Sequence, residues 1–340
     1  MSERSSLATS FLRLNGWGEA DRAPLAGDAS NRRYERLIHP VLGAAVLMDA
    51  PPDRGEDVRP FLHIAEHLSK LGLSAPKVLA REVAHGFLLL EDLGDALFTR
   101  VVSTTPGLET SLYQSATDVL LTLHRAAPPD GVLAYDASVM SDLAALAFDW
   151  YLAHGAAPDP DARSRFVAVF QPLLTRYTGG KQVLIQRDYH AENLLWLPER
   201  TGVARVGLLD FQDAMTGHPA YDLVSLLQDA RRDVPPAIET AMITRYLDGS
   251  GCDRDTFEAA YHLLGAQRNL RILGVFARLC LRDGKAHYVD LIPRVWSLLQ
   301  RDLDHPALAP VAAMLQDALP APDTALMNRL KEKCGQVPTP

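Results

Sequence analysis

Residues 183–196 read Val-Leu-Ile-Gln-Arg-Asp-Tyr-His-Ala-Glu-Asn-Leu-Leu-Trp, and residues 206–213 read Val-Gly-Leu-Leu-Asp-Phe-Gln-Asp. Two apolar segments flank a polar loop, a pattern that predicts two short strands, each followed by an acidic residue. Asp188 precedes Asn193 by five residues, and Asp210 closes the second strand. A single aspartate after a strand is often only a turn former. The ordered set on two strands instead predicts a catalytic loop.

These residue types, in this order, suit phosphoryl transfer from a nucleotide. One carboxylate orients or deprotonates the attacking hydroxyl, while an amide oxygen and a second carboxylate hold magnesium ions on the phosphates. An Asp-x-x-x-x-Asn loop followed by an Asp-Phe pair is the arrangement of a kinase catalytic loop. The stretch therefore predicts a kinase-like enzyme that uses ATP and Mg²⁺.

The chain of 340 residues divides into two parts that differ in their predicted secondary structure. The first part mixes short strands with one amphipathic helix at about 57–71, where apolar residues recur with helical spacing. Long helical patterns dominate the second part, among them 139–154 and 254–281. We predict an α+β, bilobal fold with a small antiparallel-sheet lobe over residues 1–91 and a large, mostly helical lobe over residues 92–340.

The composition argues against several classes of protein. Apolar residues make up 47% and charged residues 22%, with 34 Lys+Arg against 42 Asp+Glu. There is no basic run and no long uncharged apolar segment, so we expect neither nucleic-acid nor membrane binding. The three cysteines are odd in number and far apart, and the N-terminus lacks an apolar signal core. We therefore expect a cytoplasmic protein, and we see no sign of an obligate protein partner.

The stretch 183–213 resembles that of the aminoglycoside phosphotransferases and related small-molecule kinases, which share the protein-kinase-like fold. The resemblance covers roughly residues 20–300. It implies that Asp188 is the catalytic base and that Asn193 and Asp210 are magnesium ligands.

Two segments of the first lobe resemble the nucleotide-binding parts of that family. Residues 25–34, Leu-Ala-Gly-Asp-Ala-Ser-Asn-Arg-Arg-Tyr, resemble the strand–turn–strand that covers the phosphates, where small residues let backbone N–H groups approach phosphate oxygens. A plain hairpin turn is the alternative. Residues 86–94 resemble the last strand and the hinge, whose backbone binds the adenine edge; solvated hinge side chains are the alternative there. The predicted nucleotide contacts are Gly27, Asp28, Ser30, Asn31, Arg33, Glu91 and Leu93.

One position departs from the usual pattern of such kinases. The third strand carries Met48 where these enzymes usually place a lysine against the α- and β-phosphates. Because this lysine is absent, the usual role of a helix glutamate as its partner is in doubt for Glu66. The alternative is that Glu66 is a solvated residue on the helix surface. Arg32, Arg33 and Arg36 are the candidate replacements, and strand alternation places Arg33 on the opposite face from the other two.

A wider set of motifs sharpens the resemblance. Gly-Asp-Ala-Ser-x-Arg-Arg-Tyr at 27–34, Met-Asp-Ala-Pro-Pro at 48–52, the hinge at 86–94 and Asp-Phe-Gln-Asp-Ala at 210–214 form an ordered set. The set is similar to that of the bacterial anomeric kinases of N-acetylmuramate and N-acetylglucosamine, used in cell-wall sugar recycling. This resemblance implies transfer of the ATP γ-phosphoryl group to the C1 hydroxyl of an amino sugar.

Four residues are candidate contacts for the acceptor. Arg268 and Arg271 lie on a helix that the resemblance places beside the acceptor pocket, where a cation would suit the lactyl carboxylate of N-acetylmuramate. Snorkelling arginines on a core helix are the alternative. His190 and Asp213 are candidate substrate contacts, with loop support and metal assistance respectively as other possible roles. Asp222 is expected to brace the catalytic loop rather than react.

Two other functions remain open from the sequence. The first is a small-molecule kinase of the same fold that acts on an aminoglycoside, an amino alcohol or another sugar. The second is a non-catalytic nucleotide-binding module, which the absent strand lysine would suit and the intact acidic set argues against.

Overall fold

The computed structural model describes residues 3–25, 31–156 and 159–338. Packing divides the chain into two compact units, Met1–Pro129 with Ala191–Ala214 and Asp130–His190 with Met215–Pro340. This division by contacts differs from the lobe boundary after residue 91, because the first unit also holds a later helix and a short hairpin. The lobe boundary itself stays a prediction.

An antiparallel five-stranded sheet with strand order β1-β2-β3-β5-β4 forms the centre of the first unit. Its strands are β1 (Asp21–Leu25), β2 (Arg33–His39), β3 (Gly43–Asp49), β4 (Val78–Glu82) and β5 (Phe87–Glu91). The turn between β4 and β5 needs a glycine, because Gly86 has a φ of +72° and a Cβ there would lie 1.9 Å from the carbonyl oxygen of Ala50. The predicted antiparallel sheet of short strands is thus confirmed.

The two faces of this sheet have different surroundings, because side chains alternate between the faces along each strand. Leu37, Leu47 and Leu89 point to one face, where they pack on helix α1 (Glu3–Leu14) in an apolar core. Residues of the other face, including Val46 and Leu90, line an open cavity.

Three of four three-residue strands occupy the stretch that opened the sequence analysis, and the fourth follows directly after it. They are β6 (Val183–Ile185), β7 (Leu194–Trp196), β8 (Val206–Leu208) and β9 (Met215–Gly217). Within the first unit β7 pairs with β8, and within the second unit β6 pairs with β9. The sequence predicts the apolar strands that flank the loop, but strands this short carry too little alternation to reveal the pairing.

Three further helices belong to the first unit and nine to the part of the second unit that the structure describes. They are α2 (Arg59–Lys70), α3 (Phe98–Thr104), α4 (Glu109–Leu123), α5 (Ala137–Ala144), α6 (Ala153–Gly155), α7 (Ala162–Thr178), α8 (Ala220–Leu227), α9 (Pro236–Ser250), α10 (Arg254–Leu281), α11 (Ile292–Leu303), α12 (Ala309–Ala318) and α13 (Thr324–Glu332). None of the helices in the described residues is long and apolar enough to cross a bilayer.

One predicted helix is interrupted and two observed helices were not predicted. The expected helix at 139–154 is α5, then a π-helical segment Ala147–Leu152, then α6. Six apolar-rich residues do not distinguish a 3.6-residue turn from a wider one. Helix α3 begins without a side-chain cap, so its start has no sequence signal, whereas Asp323 caps α13 by accepting the Leu326 N–H at 2.7 Å.

Helix α10 is the central helix of the second unit and is fixed by a buried polar network. The fully buried Asp302 of α11 accepts from Asn269 at 3.1 Å and from Gln228 at 2.9 Å, and it contacts His262 at 3.0 Å. Gly265 makes room for it, since a Cβ would lie 2.3 Å from the Asp302 carboxylate. Because these bonds join α10 to α11 and to the end of α8, they fix the rotation of α10.

Candidate active site

A buried carboxylate binds the backbone of the loop that carries Asp188. Asp222, in the first turn of α8, is fully buried and accepts the backbone N–H groups of Gln186 at 2.6 Å and Arg187 at 2.9 Å. Burial raises the pKa of Asp222 to about 7, against these two hydrogen bonds. Arg187 itself has a φ of +71°, a conformation that non-glycine residues rarely adopt. The expected bracing role of Asp222 is therefore seen directly in the structure.

Asp188 stands in a strongly positive environment. Burial alone would raise the pKa of this carboxyl, but the charges of Arg271 and Arg268, with a smaller contribution from Arg187, hold it below its usual range. The carboxyl is therefore ionised at neutral pH, as a group that accepts a proton or a hydrogen bond must be.

The two predicted arginines of α10 have different surroundings. Arg268 is buried, and its Nη1 donates to the carbonyl oxygen of Arg187 at 3.0 Å, so it helps to hold the catalytic loop. Its Nε is buried without a partner among the described residues. Arg271 is partly exposed and donates to the hydroxyl of Tyr221 at 3.4 Å. Arg268 is thus tied to the loop, while Arg271 is tied to one phenol.

A pair of buried tyrosines supports these arginines. The hydroxyls of Tyr135 and Tyr221 lie 3.3 Å apart, and their rings meet edge to face with centroids 4.9 Å apart. Gln267 donates to the Tyr135 hydroxyl at 3.1 Å, and the guanidinium of Arg187 lies over the Tyr135 ring. Sequence reasoning did not single out either tyrosine, since an isolated tyrosine carries no motif.

His190, two residues after Asp188, is buried and uncharged at neutral pH. Burial lowers its pKa to about 4, although the nearby carboxylate of Asp229 opposes the shift. His190 is consequently suited to exchanging hydrogen bonds rather than to supplying a positive charge. Its contact with a substrate stays a prediction.

The first unit contains a cavity of about 650 Å³ on the open face of its sheet. One wall is apolar and includes Val46, Leu90 and Leu195, while the hinge from Glu91 to Asp95 forms another. The predicted hinge residues Glu91 and Leu93 both line it. A flat apolar slot beside an exposed backbone segment suits a purine ring.

The polar end of the same cavity holds Asn193 and Asp210. The N–H of Leu209 donates to the carbonyl oxygen of Asn193 at 3.0 Å, which sets the two side chains beside each other. The Asn193 amide then lies 3.4 Å from the Asp210 carboxylate, and Gln212 donates to that carboxylate at 2.7 Å. Asp210 also adopts a positive φ of +56°, which is the kind of backbone strain often found at functional positions.

This polar end fits a magnesium ion bound to a nucleotide. Mg²⁺ in such enzymes takes one or two protein oxygens and the phosphates rather than an all-protein cage. Asp210 offers a carboxylate, and the neighbouring Asn193, whose Nδ2 donates to that carboxylate, carries an amide oxygen on the same side chain. The described residues contain no cluster of three or more His, Cys, Asp or Glu side chains of the kind that holds a metal by itself. The donor set therefore agrees with the predicted metal.

Phe211, the residue after Asp210, anchors this end of the cavity. Its buried ring stacks on Phe61 of α2 with centroids 4.8 Å apart. Phe61 and Met48 both line the cavity, so the place of the missing lysine is apolar. Glu66 is exposed and pairs with Lys70 at 2.7 Å, which agrees with its interpretation as a solvated residue.

The three candidate arginines differ in their positions and their partners. Arg36 lines the cavity, but it is bound by Asp92 at 2.7 Å and by Asp95 at 2.6 Å across the hinge. Arg32 pairs with Glu56 at 2.8 Å, and both side chains are largely buried. Arg33 is exposed, alternates to the other face of β2 and does not line the cavity.

The other predicted contacts are only partly described. Gly27, Asp28 and Ser30 lie outside the described residues. Asn31 is exposed, and its backbone N–H donates to Glu56 at 3.0 Å. Asp213 is exposed and does not line the cavity of the first unit. Their roles stay predictions.

Glu56 is a functional candidate that the sequence did not reveal. It lies in an irregular loop, 24 residues after Arg32, so no local pattern links the two. It binds both Asn31 and Arg32, the residues that follow directly after the predicted phosphate-covering turn.

Comparison with known proteins defines the class. The profile of the phosphotransferase enzyme family, APH, matches residues 21–261, and the chain belongs to this family. Solved structures of the family agree in fold. A choline/ethanolamine kinase family protein from Mesorhizobium loti has a TM-score of 0.61 at 14% identity over 92% of this chain and 99% of its own. The aminoglycoside phosphotransferase APH(3'')-Id from Streptomyces rimosus, solved with ADP and streptomycin, has a TM-score of 0.51 at 20% identity over 77% and 98%.

Two curated relatives are more similar in sequence. The N-acetylmuramate/N-acetylglucosamine kinase of Caulobacter vibrioides is 42% identical over 94% of this chain and 98% of its own length. The protein of the same name from Pseudomonas aeruginosa is 34% identical over 88% of this chain and 90% of its own. The predicted family, the kinase-like α+β fold and the phosphotransferase class are thereby confirmed.

Proposed function

We propose that this protein is an ATP-dependent kinase that transfers the γ-phosphoryl group to the C1 hydroxyl of N-acetylmuramate and N-acetylglucosamine in cell-wall sugar recycling. The names of the curated relatives support the substrate class. The observation that carries the proposal is the positive environment of Asp188. Choline and aminoglycosides are cations, which such an environment repels, whereas a sugar carboxylate is attracted by it.

Asp188 is the proposed catalytic base. An anomeric hydroxyl is more acidic than an ordinary alcohol, so a carboxylate with a low pKa suffices to accept its proton as the new bond forms. The C1 oxygen bonds to the γ-phosphorus while the bond to the β–γ bridging oxygen breaks, and ADP leaves. Positioning supplies much of the rate in such a transfer, and here Asp222 and Arg268 hold the loop.

The cavity of the first unit is the proposed nucleotide site. The hinge backbone at 91–93 would bind the adenine edge, and Asn193 with Asp210 would hold Mg²⁺. The ion supplies charge neutralisation of the phosphates when it is bound. Gln212 and Phe211 fix the Asp210 carboxylate by a hydrogen bond and by stacking on Phe61. Asp188 and Asn193 are five residues apart in the sequence.

Arg32 is the proposed replacement for the missing lysine. It directly precedes β2, where strand alternation puts it on the same side as Tyr34, which lines the cavity, and it follows the predicted phosphate turn. Its carboxylate partner Glu56 orients it at 2.8 Å, as the helix glutamate orients the lysine in other kinases. Arg36, in contrast, is compensated by two carboxylates of the hinge.

Arg271 is the proposed partner of the lactyl carboxylate of N-acetylmuramate. Arg268 is committed to the carbonyl oxygen of Arg187, whereas Arg271 is partly exposed and fixed only through Tyr221. Arg268 is then a secondary acceptor contact through its unpartnered Nε. The remaining parts of the proposal are supported by the sequence alone. His190 and Asp213 are proposed to contact the substrate, and the protein is proposed to be cytoplasmic.

A coupled ADP-release assay with both sugars, followed by phosphorus NMR of the product, tests this function. We expect magnesium-dependent turnover of both sugars and an anomeric phosphate. A phosphomonoester on another hydroxyl would refute the proposed position of transfer. Faster turnover of a cationic aminoglycoside or of choline than of either sugar would refute the substrate class.

A further inference from the structure

Two cysteines that are far apart in sequence lie side by side at the end of α10. Cys280 is buried in the last turn of α10, and the partly exposed Cys334 follows α13. The N–H of Gly335, the residue directly after Cys334, donates to the carbonyl oxygen of Cys280 at 3.0 Å, so the backbone places Cys334 next to Cys280. The pair is reduced in this structure. The backbone therefore brings the two cysteines together without a bond between their sulfurs.

The backbone on both sides of this pair is well held. Beyond it, the N–H of Val337 donates to the carbonyl oxygen of Leu281 at 3.0 Å. Before it, the Cys280 thiol also donates to the carbonyl oxygen of the fully buried Leu330 at 3.6 Å, and Arg329 donates to Gly155 at 2.7 Å. A disulfide forms without distortion only where the backbone already brings two cysteines close together. The backbone hydrogen bonds from Gly335 to Cys280 and from Val337 to Leu281 bring the two segments together in this way.

We propose that Cys280 and Cys334 are a redox-active dithiol site that reacts with a low-molecular-weight disulfide and closes to an intramolecular disulfide. The Cys334 thiolate attacks one sulfur of the small disulfide RSSR, and the first RS⁻ leaves. The Cys280 sulfur then attacks Cys334 in the mixed disulfide, and the second RS⁻ leaves. Two protein thiols are oxidised, one RSSR is reduced to two RSH, and the two cysteine protons end on the leaving thiolates.

The order of attack follows from exposure and acidity. Burial and the nearby Cys334 thiol raise the pKa of the Cys280 thiol to about 12, so Cys280 is a poor first nucleophile. Cys334 is partly exposed and within reach of a small oxidant. Cys280 therefore acts second, when the mixed disulfide is already beside it and the effective concentration is high.

This disulfide would link the segment that follows α13 covalently to α10 in the core of the second unit. The crosslink closes a loop of about 50 residues, and loops of this length give substantial stabilisation when they are closed. Cys280 is nine residues after Arg271, which is about 14 Å along a helix axis. Oxidation is thus expected to raise thermal stability and to leave the residues around Asp188 in place.

The test uses the full-length protein equilibrated in reduced and oxidised glutathione, quenched with iodoacetamide and analysed by mass spectrometry. We expect one alkylated thiol, Cys252, in the most oxidising mixture, with a linked peptide pair that contains Cys280 and Cys334. The control C252S should form the same link, and C334S should retain its Cys280 thiol. The melting temperature of the oxidised wild type should rise by several degrees and return on reduction, with no such change in C334S.

Three results would overturn the proposal. The first is three alkylated thiols in the most oxidising mixture. The second is a stable glutathione adduct on Cys334 with the Cys280 thiol still present. The third is a link that involves Cys252. Because each readout concerns the thiols of the wild-type protein, none depends on which sugar the enzyme phosphorylates.

Discussion

Replacing Arg271 by glutamine removes one positive charge from beside Asp188 and the group that contacts the Tyr221 hydroxyl at 3.4 Å. If Arg271 binds the lactyl carboxylate of N-acetylmuramate, the variant loses a hydrogen bond between charged groups, which contributes about 1.5–3 kcal/mol. Each 1.4 kcal/mol corresponds to about a factor of ten. We therefore expect kcat/KM for N-acetylmuramate to fall roughly 10- to 150-fold. N-acetylglucosamine has no carboxylate, so its kcat/KM should fall much less.

The comparison is made by coupled ADP release at about pH 8, because Arg271 also acts on the pKa of Asp188. Burial raises that pKa and the arginines lower it, so the loss of one arginine raises it. At pH 8 the Asp188 carboxyl is still ionised in both enzymes, and the difference between the sugars then reports carboxylate binding alone. In a full pH profile, the acidic limb of kcat/KM should move to higher pH in R271Q for both sugars.

The matched control is R278Q, a substitution on the same helix seven residues further on. Arg278 lines a different cavity, beside Trp150 and Arg163, so its loss should leave the ratio of the two sugars unchanged. An equal fall for both sugars at pH 8 in R271Q would refute the carboxylate role of Arg271. So would an R278Q enzyme that shows the same change of ratio as R271Q.

Three further perturbations test other parts of the site. Asp188→Asn keeps the shape of the side chain but removes the base, so kcat should fall by roughly 10²- to 10⁴-fold with KM for ATP little changed; a kcat within a factor of three of wild type would contradict the assignment. Arg32→Met should raise KM for ATP about tenfold by removing one charge contact. The control Arg59→Met, at an exposed arginine, should leave this KM unchanged. The same KM for ATP in both variants would argue against a phosphate contact by Arg32. Phe61→Ala removes the buried ring stacked on Phe211, so it should cost about 3–5 kcal/mol in the free energy of unfolding and also lower kcat; an unchanged chemical-denaturation midpoint would contradict this packing role.

Much of the fold follows from local pattern. The alternation of the strands in the first lobe and the 28-residue helix α10 were predictable because burial repeats at every second or at every three to four residues. The π-helical segment at Ala147–Leu152 was not, since it preserves the apolar pattern of an ordinary helix. Helix α3 was missed because its N-terminus has no capping side chain to mark it.

The chemistry at Asp188, Asn193 and Asp210 could also be predicted, because these three residues lie on one short stretch whose spacing is itself the signal. The partners that support them could not. Tyr135 and Tyr221 are 86 residues apart, and each is an ordinary buried tyrosine until the fold brings the two hydroxyls together. The same holds for Arg32 and Glu56, which meet across an irregular loop.

The sequence by itself thus determined the family, the class of reaction and the identity of the acidic residues, because these depend on spacing within a single loop. Only the tertiary structure showed which group each of these cations contacts. It tied Arg36 to the hinge, Arg268 to the catalytic loop and Arg271 to Tyr221, and it brought Cys280 beside Cys334. The physical reason is that electrostatic and thiol chemistry depend on distances through space of a few ångströms, and a linear sequence records such distances only between near neighbours.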